Sequence, residues 1–259
     1  MAAEPLPFFP SKIDGSLRDA TDVQTDVDSV QTKGQTEPAT DAPPGSFAFS
    51  GHEAPHGHMI QADPAGKFVF AADLGQDRIY SWLLNRTTDK LVPNNPSYIS
   101  VPPGDGPRHF AFHPNGRRFY SLQEESSTII VYGYDAASGV LTQRQMLSTL
   151  PSEFTGTNFT SEIRVSQDGR FVYAANRLHD TIAIFEVGQG GRLEFAGEEW
   201  TRGDYPRSFT IDPTGNFLFS CNQRSDAITS HSVDGGGRKL RFTGHYTPVG
   251  SPAIIVFLT

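Results

Sequence analysis

Phe110-Ala111-Phe112-His113-Pro114-Asn115-Gly116-Arg117-Arg118-Phe119-Tyr120-Ser121-Leu122 reads as a strand, a tight turn and a second strand. Aromatic and apolar residues flank a Pro-Asn-Gly punctuation that favours a turn over any helix. The unit recurs, with turns at Asp63-Pro64-Ala65-Gly66, Ser166-Gln167-Asp168-Gly169 and Asp212-Pro213-Thr214-Gly215, and the turn glycines lie 50, 53 and 46 residues apart. A third apolar strand follows each hairpin and a fourth leads out of it. Repeats of about 40 to 50 residues built from consecutive antiparallel strands predict a β-propeller, each repeat being one blade around a central channel.

Working outward, the predicted inner, second and third strands are Met59 to Ala62, Phe68 to Ala72 and Arg78 to Leu84 in the first repeat, and Phe110 to His113, Phe119 to Leu122 and Thr128 to Tyr134 in the second. The third repeat gives Ile163 to Ser166, Phe171 to Ala175 and Thr181 to Val187; the fourth gives Phe209 to Asp212, Phe217 to Cys221 and Ala227 to Val233. Val, Ile, Phe and Tyr enrichment supports strand throughout, and no helix is expected. Ser251 to Leu258 matches the start of the fourth repeat, Pro206 to Ile211, and reads as the first strand of a fifth blade with no partner. The expectation is therefore an all-β chain of about four blades plus a lone C-terminal strand, an incomplete ring.

Residues 1–45 are rich in Asp, Thr, Gln and Pro, too poor in apolar surface to offset ordering entropy, and read as a mostly disordered tail. One piece, Lys12 to Leu17, is similar to the turn and strand at Gly188 to Leu193 and reads as a remnant of a blade edge. Residues 46–259 form the propeller domain.

The net charge of −8 and the absence of a basic run argue against nucleic-acid binding. No apolar run approaches the ~20 residues of a membrane span. No basic stretch followed by an apolar one marks a secretory leader, so the cytoplasm is expected. The single cysteine, Cys221, excludes an internal disulfide and a Cys-based zinc site, and its apolar strand predicts an inert thiol.

Hairpin symmetry locates a site. Residues eight before and eight after each turn glycine are expected to face one another, giving His58/Leu74, Arg108/Glu124, Ser161/Arg177 and Arg207/Gln223. Inner strands line a propeller's channel, so these pairs are expected to ring one mouth with three arginines, a histidine and a glutamate. Such a cluster suits a small anion despite the acidic whole, because local field outweighs net charge in a concave site.

Pro55-His56-Gly57-His58, Phe70 to Leu74, Gly106-Pro107-Arg108-His109, Glu162 to Ser166 with Asp168-Gly169-Arg170, Ala175-Asn176-Arg177, Tyr205-Pro206-Arg207 and Gly250-Ser251-Pro252 carry a family resemblance. They are similar to the cycloisomerase-2 or 6-phosphogluconolactonase-like family of seven-bladed propeller lactonases, which includes fungal carboxymuconate-lactonizing enzymes. The resemblance covers about residues 46 to 259 and implies a site of a histidine, two arginines and a glutamate, falling on His58, Arg108, Arg177 and Glu124. Seven blades in the family against four here imply N-terminal truncation.

Two readings of these residues stand side by side. Arg108 and Glu124 are either a cross-strand ion pair or, with Arg177, an anion clamp built from planar guanidinium forks. His58 is either a structural histidine at a strand start or a general acid/base with an unperturbed pKa near neutrality. His113 sits where other repeats carry aspartate and reads as structural. Asp73, Gln123, Asn176 and Asn222, each seven residues after a turn glycine, form either a cation-binding ring or, more simply, strand ends bonded to nearby backbone. His56, Arg207, Asn176 and Gln223 are the candidate substrate contacts.

The preferred reading is an enzyme that hydrolyses a small anionic lactone or runs the related carboxymuconate cyclisation, with no cofactor and no required metal. The competing reading is a non-catalytic truncated propeller, either a binding scaffold or a gene fragment. The open blade edges lead to the expectation that this chain either self-associates through them or is poorly soluble alone.

Overall fold

A computed structural model describes residues 6–8, 22–24, 55–234 and 236–258. Four antiparallel four-stranded sheets follow one another along the chain. Blade 1 comprises β3 (Gly57–Ala62), β4 (Phe68–Asp73), β5 (Arg78–Asn85) and β6 (Lys90–Ser100), and blade 2 comprises β7 (Pro107–Phe112), β8 (Arg118–Gln123), β9 (Thr128–Asp135) and β10 (Val140–Ser148). Blade 3 comprises β11 (Thr160–Val165), β12 (Phe171–Asn176), β13 (Thr181–Val187) and β14 (Leu193–Trp200), and blade 4 comprises β15 (Pro206–Ile211), β16 (Phe217–Asn222), β17 (Ala227–Val233) and β18 (Leu240–Pro248). Two further strands, β1 (Leu6–Phe8) and β2 (Asp22–Gln24), pair with each other antiparallel. The blade-edge reading of Lys12 to Leu17 lies outside the described residues, as does most of the expected tail. Among the described residues no helix is long and apolar enough to cross a membrane.

The turn glycines behave as their sequence context requires. Gly66, Gly116, Gly169 and Gly215 all have positive φ, from 61° to 74°, a conformation that costs glycine nothing and other residues a Cβ clash. The residue three before each glycine anchors the turn: Asp63 Oδ1 accepts from the Lys67 and Phe68 amides, and Asp212 Oδ1 from those of Asn216 and Phe217.

Packing joins blade to blade. The second strands β4 and β12 are buried along their whole length, because each is covered on both faces. Phe68, Phe70 and Ile79 of blade 1 pack with Phe110, Phe119, Tyr132 and Tyr134 of blade 2. Tyr120 and Leu122 meet Ile163, Val172 and Phe185 across the next junction, and Tyr173 and Ile184 meet Phe209 and Leu218 across the third. Each fully buried Phe or Leu contributes about 1.5–3 kcal/mol, so the three interblade cores hold the arc together. His113 confirms its structural reading, bonding the Gly169 carbonyl of blade 3 at 2.9 Å.

A recurrent pin sets where each inner strand begins. A left-handed residue between the second and third strands of a blade points its side chain at the crossover to the next blade. Asp77 accepts from the Gly104 and Gly106 amides, Asp180 from Tyr205 and Asp226 from Ser251, all at 2.8 Å. Gly106, Tyr205 and Ser251 each have positive φ immediately before a buried proline. Ser251-Pro252 is therefore seated like the start of an inner strand, as the sequence match to Pro206 predicts. Residues 252–258 belong to no sheet among the described residues, since a strand requires a partner ladder. Phe257 rests on Phe219 at 5.9 Å between ring centroids.

One expectation is corrected here. The facing pairs eight residues either side of the glycine are not directly opposite. Pro107, not Arg108, lies opposite Gln123, and the Glu124 amide bonds the Gly106 carbonyl. Each hairpin pivots ahead of its glycine, and each inner strand carries a register shift near its start, at His58, Arg108, Ser161–Glu162 and Arg207. A bulge of this kind re-aims a side chain, and all four repeats place it at the channel mouth.

Candidate active site

The bulges deliver the charged residues to one place. Glu124, following β8, makes ion pairs with Arg108 Nε through Oε2 and with Arg177 Nη2 through Oε1, both at 2.6 Å. Blades 2 and 3 thus share one carboxylate, and Arg108 and Arg177 lie at the same end of the channel. The Arg108 side chain is 2% exposed, Arg177 4% and Glu124 12%, so the cluster is more than a surface ion pair. Arg108 Nη1 also donates to the Ser161 carbonyl. Arg177 Nη1 donates to Tyr205 Oη at 3.2 Å, and its guanidinium lies between the rings of Phe159 and Tyr205, 5.1 Å from each centroid. These contacts hold both guanidinium planes fixed.

His58, from blade 1, stands edge-to-face against His109 with ring centroids 5.0 Å apart. Among the described residues its buried Nδ1 has no hydrogen-bond partner. Burial, then the charges of Arg108, His109 and Arg207, push its pKa down to about 2. The imidazole is consequently neutral, and the unperturbed value expected from sequence does not apply. Arg108 is itself lowered to about 10, by burial first, with Glu124 opposing the shift and Arg177 and Arg207 adding to it.

Arg207 of blade 4 is half-buried and close enough to shift both His58 and Arg108. Among the described residues it makes no hydrogen bond or ion pair. It is therefore the cation in the cluster whose charge is uncommitted.

The other candidates divide. His56 is exposed, with its backbone amide bonded to Asp73 Oδ1 at 2.9 Å. Gln223 is half-buried and opens a short 3-10 turn, Gln223–Ser225. Asn176 is fully buried and its amide is used up within the fold. Its Oδ1 accepts from Thr149 Oγ1 at 2.7 Å and Asn158 Nδ2 at 3.0 Å, and its Nδ2 donates to the Thr149 carbonyl and Thr181 Oγ1. That hydrogen-bond set leaves nothing to offer a substrate, so Asn176 is a strand-end brace. Asn222 plays the same part, bonding the Thr201 carbonyl, while Gln123 donates to the Ser121 carbonyl and, among the described residues, its buried Oε1 has no hydrogen-bond partner. Among the described residues no group of three or more His, Cys, Asp or Glu is placed to hold a metal ion. Cys221 is buried, and burial pushes its thiol up to about 11.

Three site residues had no role in the sequence reading. His109 Nδ1 lies 3.1 Å from Glu162 Oε1, and Ser208 Oγ donates to Glu162 Oε2 at 3.1 Å. Strand alternation puts His109 on the opposite face from Arg108, and the bulge defeats that rule: Arg108 Nη1 and His109 Nε2 are 3.3 Å apart.

Comparison with known proteins identifies the family and the fold. The family model described as "Lactonase, 7-bladed beta-propeller" matches residues 8–257. A 6-phosphogluconolactonase from Bacillus subtilis is 42% identical over 158 residues, covering 61% of this chain and 44% of that protein. Another from Pectobacterium carotovorum is 38% identical over 153 residues, covering 59% and 46%. The solved structure of a periplasmic gluconolactonase from Pseudomonas aeruginosa superimposes with a TM-score of 0.83 at 27% identity, covering 98% of this chain and 66% of that one. The chain spans about half the length of the curated relatives it matches.

Proposed function

We propose that this chain, which belongs to the seven-bladed β-propeller lactonase family, opens a small anionic lactone by adding water. The observation that carries the reading is the Arg108–Glu124–Arg177 clasp with a partnerless His58 nitrogen and the uncommitted Arg207 beside it. The relatives' names favour a phosphorylated sugar lactone, and such a substrate implies the cytoplasm.

In this reading Arg207 takes the substrate's phosphate or carboxylate. Guanidinium geometry suits planar, two-point recognition of either group. Burial is the main cause of the lowered His58 pKa, and an anion bound at Arg207 offsets part of the positive field that adds to it, so the imidazole gains basicity when substrate arrives. Neutral His58 is then the group placed to accept a proton from the attacking water as the water oxygen bonds to the lactone carbonyl carbon. Arg108 and Arg177, fixed by Glu124, stabilise the negative charge that develops on the carbonyl oxygen. Collapse breaks the ring carbon–oxygen bond, His58 returns the proton to the departing oxygen, and the product is a hydroxy acid whose new carboxyl group releases one proton to water.

Cyclisation of a carboxymuconate draws on the same clamp and proton group; the names of the relatives favour hydrolysis. Proton release from 6-phosphogluconolactone, followed in a pH-stat with the buffer rate subtracted, tests the proposal. Turnover above background that falls in Arg207→Gln supports it. Binding of phosphate without turnover of any lactone would leave the scaffold reading instead.

A further inference from the structure

We propose that His109, locked in one tautomer by Glu162, is a positioning residue that aims Arg108 in the site. The inference rests on the hydrolytic reading for its role, and for the lock on the contacts and burial of Glu162, His109 and Arg108.

The lock begins with Glu162, 4% exposed and surrounded. Its Oε1 meets His109 Nδ1 at 3.1 Å, the Ile163 amide at 3.3 Å and Arg164 Nε at 3.5 Å, while Oε2 accepts from Ser208 Oγ at 3.1 Å. Burial works against the charge of this carboxylate, yet the hydrogen bond from His109 and the charges of Arg164 and Arg108 hold its pKa below the usual range. An ionised carboxylate only accepts, so the proton on His109 belongs at Nδ1. Burial lowers the pKa of His109 itself, so the ring is neutral and Nε2 keeps its lone pair. That lone pair faces Arg108 Nη1 at 3.3 Å. The guanidinium can only donate, and it needs an acceptor there.

The opposite tautomer would set an Nε2–H against the Arg108 N–H, two donors facing in a buried site, and leave Glu162 Oε1 without its hydrogen. Glu162 therefore decides which way Arg108 is held. Ser208 from blade 4, Glu162 from blade 3, and His109, Arg108 and Glu124 from blade 2 form one continuous polar chain that ends on Arg177. His109 also presents its ring to His58 at 5.0 Å, so a rotated His109 disturbs both the clamp and the proton carrier.

Two measurements test this on the full chain. Nitrogen-15 NMR of the imidazoles at neutral pH is expected to find His109 protonated at Nδ1 and bare at Nε2, and this holds whether or not any lactone is turned over. A protonated Nε2, or a charged ring, overturns the lock. The second is a double-mutant cycle on 6-phosphogluconolactone hydrolysis. His109→Phe keeps the ring against His58 and is expected to lower kcat about 10- to 100-fold through misplacement of Arg108, with KM little changed. Adding it to Arg108→Lys should cost nothing more, since both act at one point. Additive losses would show that His109 does not act through Arg108. If wild type is inactive, the hydrolytic reading fails while the tautomer result still decides the lock.

Discussion

Replacing Glu124 with glutamine removes one negative charge from between two buried guanidinium groups while preserving shape. Breaking a buried ion pair by deleting one partner costs about 3–5 kcal/mol, because the remaining charge stays desolvated. Glu124 serves two arginines at 2.6 Å each, but its 12% exposure at the channel mouth admits some water. We therefore expect a loss near the lower end, about 3 kcal/mol. Urea unfolding at pH 7 followed by circular dichroism measures it. The two freed guanidinium groups then become an anion site, so inorganic phosphate at a hundred times its dissociation constant should restore about 2.7 kcal/mol. Asp168→Asn provides the contrast, because the Arg170–Asp168 pair has side chains 59% and 49% exposed and should contribute less than about 1 kcal/mol. Equal, small losses in the two variants, with no phosphate rescue of Glu124→Gln, would refute the view of the clasp as a buried anion trap.

The remaining expectations concern pH, substrate charge and the open edge. His58 has a folded pKa of about 2 against 6.5 unfolded. Above pH 6.5 both states are neutral and stability is complete; below it the unfolded chain takes a proton that the folded chain refuses, so stability falls. Between those values His58 adds a slope approaching about 1.4 kcal/mol per pH unit, His109 and His231 act in the same direction, and His58→Gln should flatten the unfolding-pH profile below 6.5. A profile unchanged in that variant contradicts the assignment. Arg207→Gln should raise KM for a phosphorylated lactone by roughly 10-fold or more, as loss of one charged contact implies, while leaving the urea midpoint unchanged; an unchanged KM removes Arg207 from the site. Ile254 and Val256 are 64% and 68% exposed, and we propose that the 259-residue chain self-associates through this segment and the edge near Met59. Light scattering should show Ile255→Asp shifting the distribution toward monomer, and a monodisperse wild-type monomer would contradict the proposal.

The repeat was legible because turn chemistry is local. Gly66, Gly116, Gly169 and Gly215 occupy left-handed positions that a reader of Pro-Asn-Gly or Pro-Ala-Gly can infer without tertiary knowledge. Apolar patterning then supplied the strands, and Ser251-Pro252 was matched correctly to the start of an inner strand. The site was legible by residue type and by end of channel, but not by register. A bulge is one extra residue whose place depends on the neighbouring blade, so symmetry about the glycine set Arg108 opposite Glu124 when its backbone partner is Gly106. The same bulge hid His109, which strict alternation assigns to the far face. Asn176 was misjudged for another reason. Its partners Thr149 and Asn158 lie 27 and 18 residues away, and no local pattern shows that they exhaust its amide.

The most direct measurement compares hydrolysis of 6-phosphogluconolactone by the wild-type chain and by His58→Ala, with the spontaneous rate subtracted. The account predicts turnover in wild type and a kcat lower by about 10² to 10⁴ in the variant, the range for a general acid/base group. A wild-type chain that is folded yet no faster than buffer, or a His58→Ala variant as fast as wild type, would contradict it.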